Sequence, residues 1–245
     1  MQLKNGASAL QKSIYSEPFQ SPDIVRHSKL VEYISRLVRR HSVKCKILDV
    51  GCGDGHLLEK FAGTHDCYGV DISETLLTIA IKRGIKTHHI DLEKEKLPFL
   101  SNFFDIVVCS EVIEHIINTD NLLTELNRVL KNKGYMILTF PNINQPISWI
   151  IQILFDLPPM YSARYKSPHV KDYTLKIVKK ILSDFGFKIE NVTGTYIYPF
   201  RWKLSQWLVD KFPRFAEKII VVSRKIKPPQ SKPRIIWDSR LFLGR

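Results

Sequence analysis

From Cys45 onward, short strand-like apolar runs alternate with helical ones, and no other feature of the chain narrows its fold as much. Strands that alternate with helices lie side by side and parallel, because each helix carries the chain back across a face of the sheet. The expected strands are CKILDV (45–50), CYGV (67–70), KTHHI (86–90), FDIVVCS (104–110) and YMILTF (135–140). Between them HLLEKFAG, SETLLTIAIKRG and TDNLLTELNRVLKNKG read as helices, the last two with Ser73 and Thr119 at the N-cap and Gly84 and Gly134 at the stop. Upstream, SPDIVRHSKLVEYISRLVRR reads as a helix with Val31, Ile34, Leu37 and Val38 on one face. Downstream, TLKIVKKILSDFGF forms a helix capped by Thr174 and stopped at Gly186, before the strand-like KIENVTGTYIY and EKIIVVSRK. No internal repeat is present.

At 245 residues, 44% hydrophobic and 25% charged, the chain has the balance of a globular protein able to bury a proper core. No run reaches the roughly 18 apolar residues of a membrane span, and MQLKNGASALQKS lacks the apolar core of a signal peptide. A cytoplasmic location is expected, with a peripheral position at a membrane as the alternative. The four cysteines (Cys45, Cys52, Cys67, Cys109) show no metal-ligand spacing, so buried free thiols and no metal site are expected.

The net charge of +13 is unevenly spread: residues 1–45 carry +5, residues 46–223 only +2, and residues 224–245 +6. A nearly neutral middle with basic ends argues against a basic channel through the fold.

The chemistry concentrates in LDVGCGDG. A strand, a tight glycine turn and a helix bring backbone N–H groups close to a ligand at the carboxyl ends of the strands. Gly51, Gly53 and Gly55 give G-x-G-x-G, one residue short of the dinucleotide spacing, and no GK[ST] follows for a phosphate loop. Acids stand instead at successive strand ends: Asp49, then Asp71 in GVDIS, then Asp91 in HHIDLEKEKLPF. An acid ending the second strand can accept two hydrogen bonds from a ribose diol, so a nucleoside is implied without its phosphates.

LDVGCGDG, GVDIS, DLEKEKLPF, FDIVVCSEVIEHI and LNRVLKNKGYMILTFPN together resemble the class I S-adenosylmethionine-dependent methyltransferases, over roughly Val43 to Gly186. The resemblance implies a doubly wound, mostly parallel seven-stranded α/β sheet, the Rossmann-like methyltransferase fold, with one antiparallel strand. It also implies an N-terminal helical segment (1–42) lining the acceptor pocket, a methyltransferase domain (43–226) with a lid insert at 141–173, and a basic tail (227–245).

S-adenosylmethionine is the implied cofactor. Gly51 and Gly53 would let the backbone approach its methionine part, with Asp49 near the ammonium group. Asp71 would hold the ribose hydroxyls and Ile72 pack beside the adenine. Asp91 would take the adenine amino group, and the Leu92 backbone N–H a ring nitrogen. Ser110 and Glu111 would border the methionine part and the reaction cleft. A cationic sulfonium suits these acids, where phosphates would be repelled. His115 and His169 are the candidate catalytic bases, each with a structural role as its alternative.

The tetrapeptide after the fourth strand is SEVI rather than NPPY or DPPY, so a flipped DNA base is not expected and nucleic acid is disfavoured. A small-molecule, lipid-linked or saccharide-linked acceptor methylated at oxygen is the expectation. The alternatives are an RNA methyltransferase and a non-catalytic S-adenosylmethionine-binding partner protein. ISWIIQILFDL (147–157) is apolar around most of a helix, which implies burial between domain and lid, or a wall that admits an acyl or prenyl chain. RWKLSQWLVDKF places Leu204, Trp207 and Leu208 on one face with Arg201, Lys203 and Lys211 around it, a pattern suited to a membrane surface or to docking on the sheet.

Overall fold

The computed structural model describes residues 23–156, 169–198, 200 and 203–229. Seven strands form one sheet in the order β3-β2-β1-β4-β5-β7-β6. They are β1 (Lys46–Val50), β2 (Asp66–Asp71), β3 (Lys86–His89), β4 (Phe104–Ser110), β5 (Leu130–Pro141), β6 (Phe187–Gly194) and β7 (Lys218–Lys225). The first five pair in parallel, and β7 lies antiparallel between β5 and β6. The expected seven-stranded α/β sheet is therefore the observed one, every expected strand falling on a real one to within a few residues.

Successive side chains of a strand point to opposite faces, and here both faces are covered. Leu48, Val50, Val107 and Leu138 pack into one apolar layer. Their neighbours Ile47, Ile106, Val108 and Ile137 pack into the other. This two-sided burial makes the strands read as continuous apolar runs.

Helix α1 (Ile24–Val38) begins at Asp23, whose side chain accepts the Arg26 N–H, and buries Leu30, Ile34, Leu37 and Val38. Helix α2 (Glu74–Lys82) is capped by Ser73, as expected. In α3 (Thr119–Val129) the cap is Asn118 rather than Thr119. That helix also ends well before Gly134, because Leu130 already pairs with Phe104 at the start of β5. HLLEKFAG is not an α-helix: it folds into turns around a single 3-10 turn at Glu59–Phe61, with Leu58 and Phe61 tucked into the core.

Helix α4 (Pro146–Phe155) corrects a second expectation. Of its residues only Ser148 is buried, and Ile153 and Leu154 are 80% and 68% exposed. Helix α5 (Leu175–Asp184), capped by Thr174, covers the sheet through Leu175, Val178, Ile181 and Leu182. Helix α6 (Lys203–Lys211) buries Val209 and Ser205, leaving Leu204 and Trp207 outward, so the apolar face read from the sequence is not its docking face. All four cysteines are buried and free. Arg201 and the chain beyond Pro229 lie outside the described residues.

Candidate active site

The site is built where β1, β2 and β4 end. The glycine turn folds back onto β2, and the N–H groups of Gly51 and Cys52 both donate to the Val70 carbonyl. Gly51 sits at φ +74, where a Cβ would lie 2.4 Å from the Val112 side chain, so both the backbone angle and the space demand glycine. Gly53, at φ +51, directs its N–H onto Asp71 Oδ2 at 2.8 Å. Asp54 acts locally. Its carboxylate pairs with Arg83 at 2.5 Å and accepts the His56 N–H, pinning the end of α2 to the turn. Cys52 packs against Gly69, where a Cβ would meet its sulfur at 2.5 Å. It is a small filler, and burial pushes its thiol well above the ordinary cysteine value.

The acids differ in what surrounds them. Asp49 is only 3% exposed, and burial, reinforced by the charge of Asp71, pushes its carboxyl up to about 8, with Arg26 opposing. Asp71 is also raised by burial, although backbone N–H groups of Ser73, Gly53 and Ile72 pull it back. Each Asp71 oxygen accepts one of these donors, Gly53 on Oδ2 and Ser73 on Oδ1, and retains a second lone pair for a hydroxyl. Asp91 opens a tight turn: it accepts the Glu93 N–H and pairs with Lys94 at 2.8 Å.

Gly51, Asp71, Ile72, Asp91, Leu92, Glu111 and His115 together line one cleft. Most of the residues expected to hold the cofactor thus meet in one cavity. Asp49, Gly53 and Ser110 are not among its lining residues, and Ser110 is turned to Arg26 and Thr139, at 2.9 and 3.0 Å. Two buried carboxyls with raised proton affinity beside a bare backbone form a cradle that a cation relieves, and a sulfonium nucleoside with an ammonium group fits that donor set.

Glu111 occupies the left-handed region at φ +56, uncommon for a residue with a side chain and typical of functional turns. Its carboxylate accepts the Thr139 hydroxyl at 2.9 Å and pairs with Lys218 at 2.9 Å. Burial alone would raise it, but Lys218, Arg26 and the Thr139 hydrogen bond hold it below the usual glutamate value.

His115 is buried on the cleft wall, its ring 4.8 Å from that of His169. The chain after His169 is hung on the same turn, since the N–H groups of Val170 and Lys171 both donate to the Glu114 carbonyl. The two candidate bases are therefore brought together as one cluster.

Sequence reasoning passed over Arg26, Glu114 and Lys218. Arg26 reaches from α1 to Ser110 and has a buried Nε without a hydrogen-bond partner. Nothing in a helical run of mixed charge marks it. Glu114 carried a signal, its place three residues after Glu111 and next to His115.

Residues 48–138 match the family described as "Methyltransferase domain". The uncharacterized protein MJ1123 of Methanocaldococcus jannaschii is 31% identical over 185 residues, covering 74% of this chain and 80% of that protein. The ubiquinone/menaquinone biosynthesis C-methyltransferase UbiE of Burkholderia mallei is 32% identical over 111 residues, 42% of this chain and 46% of the relative, so that match spans about half of UbiE. Among solved structures, an S-adenosylmethionine-dependent methyltransferase from Archaeoglobus fulgidus superposes with a TM-score of 0.59 at 19% identity, over 86% of this chain and 98% of that one. Magnesium protoporphyrin IX methyltransferase (ChlM) from Synechocystis, crystallised with bound SAH, superposes with a TM-score of 0.59 at 18% identity, over 87% of this chain and 92% of that one. At such identities the structures establish the shared fold. Taken with the glycine turn and its acids, these matches place the chain among the class I S-adenosylmethionine-dependent methyltransferases. It is an enzyme, and S-adenosylmethionine is its cofactor.

Proposed function

We propose that the protein methylates an oxygen of a hydrophobic, lipid-linked or saccharide-linked acceptor presented at a membrane surface. The observation that carries this reading is α4. It starts a few residues beyond the carboxyl end of β5, holds no charged residue, and leaves Trp149, Ile150, Ile153, Leu154 and Phe155 exposed. A contiguous apolar face of this kind marks an interaction site. Trp149 meets Phe215 edge-on at 6.1 Å, and Arg214 lies over the Phe215 ring; earlier in the same stretch of chain Trp207, with Lys211 over its ring, and Phe212 are also exposed. Apolar and aromatic groups flanked by cations suit an anionic lipid interface. No described helix is long and apolar enough to cross the membrane.

S-adenosylmethionine, when bound, supplies a methyl group already attached to a good leaving group. What is left to the chain is alignment and the management of charge. Asp49 would receive the ammonium group of the methionine part, Arg26 its carboxylate, and Asp71 the ribose hydroxyls. Ile72 would flank the adenine, with Asp91 and the Leu92 N–H available to its polar edge. An acceptor hydroxyl would shed its proton as it is methylated, and His115 on the cleft wall, with the His169 ring beside it, is placed to receive it.

Incubation with methyl-labelled S-adenosylmethionine and a cell extract, split into lipid, small-molecule and RNA fractions, tests the acceptor. Label in the lipid fraction, removed by mild base if it is an ester and stable if it is an ether, is expected. Label confined to RNA would overturn the reading.

A further inference from the structure

Both carboxylate oxygens of Glu114 are buried without a hydrogen-bond partner, in a side chain that is itself almost wholly enclosed. An isolated carboxylate in such a place is costly, and proteins retain one when it is neutral, paired or bound to a cation. The side chains beside it could supply the other ligands of such a cation. His115 Nε2 stands 3.9 Å from Glu114 Oε1, and His169 faces the His115 ring at 4.8 Å. One ligand atom from each of Glu114, His115 and His169 falls within 4.8 Å of the others.

From this we infer that Glu114, His115 and His169 form a binding site for a divalent transition-metal ion, zinc being the reference case. Two imidazoles and one carboxylate are a ligand set that zinc and its neighbours accept, and three protein ligands leave coordination positions open. Bonds of about 2.0–2.2 Å set tetrahedral ligand atoms about 3.3–3.6 Å apart, so atoms now within 4.8 Å of one another would draw together by up to about 1.5 Å. The ion would also clasp the fold. Glu114 and His115 belong to the 3-10 turn after β4, whereas His169 belongs to the segment leading into α5, already held to that turn through the Glu114 carbonyl.

The site deepens the O-methylation reading, on which it rests only for what fills the open positions: an oxygen donor of the acceptor. Ion binding itself is measured without turnover. A histidine bound to an ion is no longer a free base, so the two roles separate experimentally.

The test uses tag-free, full-length protein stripped with a chelator and dialysed against Zn²⁺, with Co²⁺ as a spectroscopic probe. One equivalent of zinc per chain and a visible Co²⁺ absorption band are expected. Glu114→Gln and His169→Ala should each weaken binding at least tenfold while the far-ultraviolet circular dichroism and S-adenosylmethionine binding persist. His56→Ala, at the other histidine pair, whose rings stack at 4.7 Å with His27, should leave zinc binding unchanged. Absence of saturable binding, or binding that Glu114→Gln and His169→Ala both leave intact, would overturn the site. Loss of S-adenosylmethionine binding by the wild type would instead count against the cofactor reading.

Discussion

Asp49 makes cofactor affinity depend on pH in a calculable way. Its carboxyl is neutral in the empty protein up to about pH 8 because it is buried and faces Asp71. Pairing with an ammonium group requires the ionised form, so binding below pH 8 must release a proton. Each pH unit below that point then costs about 1.4 kcal/mol, or about tenfold in affinity. From pH 8 to pH 6 the Kd for S-adenosylmethionine should rise about 20-fold, less than the full two decades because at pH 8 Asp49 is only half ionised and the ligand ammonium is partly deprotonated. The screening that weakens surface charges does not apply to a side chain that is 3% exposed. Above pH 8 the gain stops, because an α-ammonium group itself deprotonates at about 7.7–8.0. Calorimetry in buffers of different ionisation enthalpy reads both affinity and proton release. Asp49→Asn should bind weakly at every pH and lose the slope. An affinity flat between pH 6 and 8 in the wild type, with no proton released, would refute the reasoning. The same shift acts on the unliganded fold: between about pH 4 and 8 the folded chain holds a proton that the unfolded one has lost, so stability falls as the pH rises through that window.

Gly51→Ala forces a Cβ to within 2.4 Å of Val112 at φ +74, and should cost about 1–3 kcal/mol of stability in a denaturant titration and abolish cofactor binding. Arg26→Ala should lower the preference for S-adenosylmethionine over its decarboxylated analogue at least tenfold, on the strength of about 1.5–3 kcal/mol for a hydrogen bond to a charged group; equal preference in mutant and wild type would remove Arg26 from the site. Leu154→Glu, on a side chain 68% exposed, should leave thermal stability within about 0.5 kcal/mol while lowering sedimentation with anionic vesicles, and no vesicle binding by the wild type would dismiss the membrane surface.

The sheet was legible because its strands are covered on both sides and so appear as unbroken apolar runs, Ile47–Leu48 and Ile106–Val108 among them. The site was legible where chemistry needs a particular backbone: Gly51, Gly53 and the acids at strand ends. Two kinds of information were hidden. Leu58 and Phe61 have helical spacing, yet tertiary packing winds that stretch into turns. Arg26 and Lys218 reach the site from segments 84 and 107 residues away from the residues they touch, Ser110 and Glu111, and no local pattern encodes such meetings. The exposure of α4 was equally invisible, since a run apolar on all sides reads the same whether it faces a core or a lipid surface.

The place of β7 has a consequence for the order in which the molecule can assemble. It follows β6 in the chain, yet it lies inside the sheet, between β5 and β6, and carries the lysine that neutralises Glu111. Until it inserts, β6 has no neighbour, and α1 lacks the Gly194 carbonyl and Thr193 hydroxyl that Lys29 grips at 2.7 and 3.1 Å. Helix α1 and β7 are therefore linked through β6, and the Glu111 side of the cleft stays incomplete until β7 has inserted.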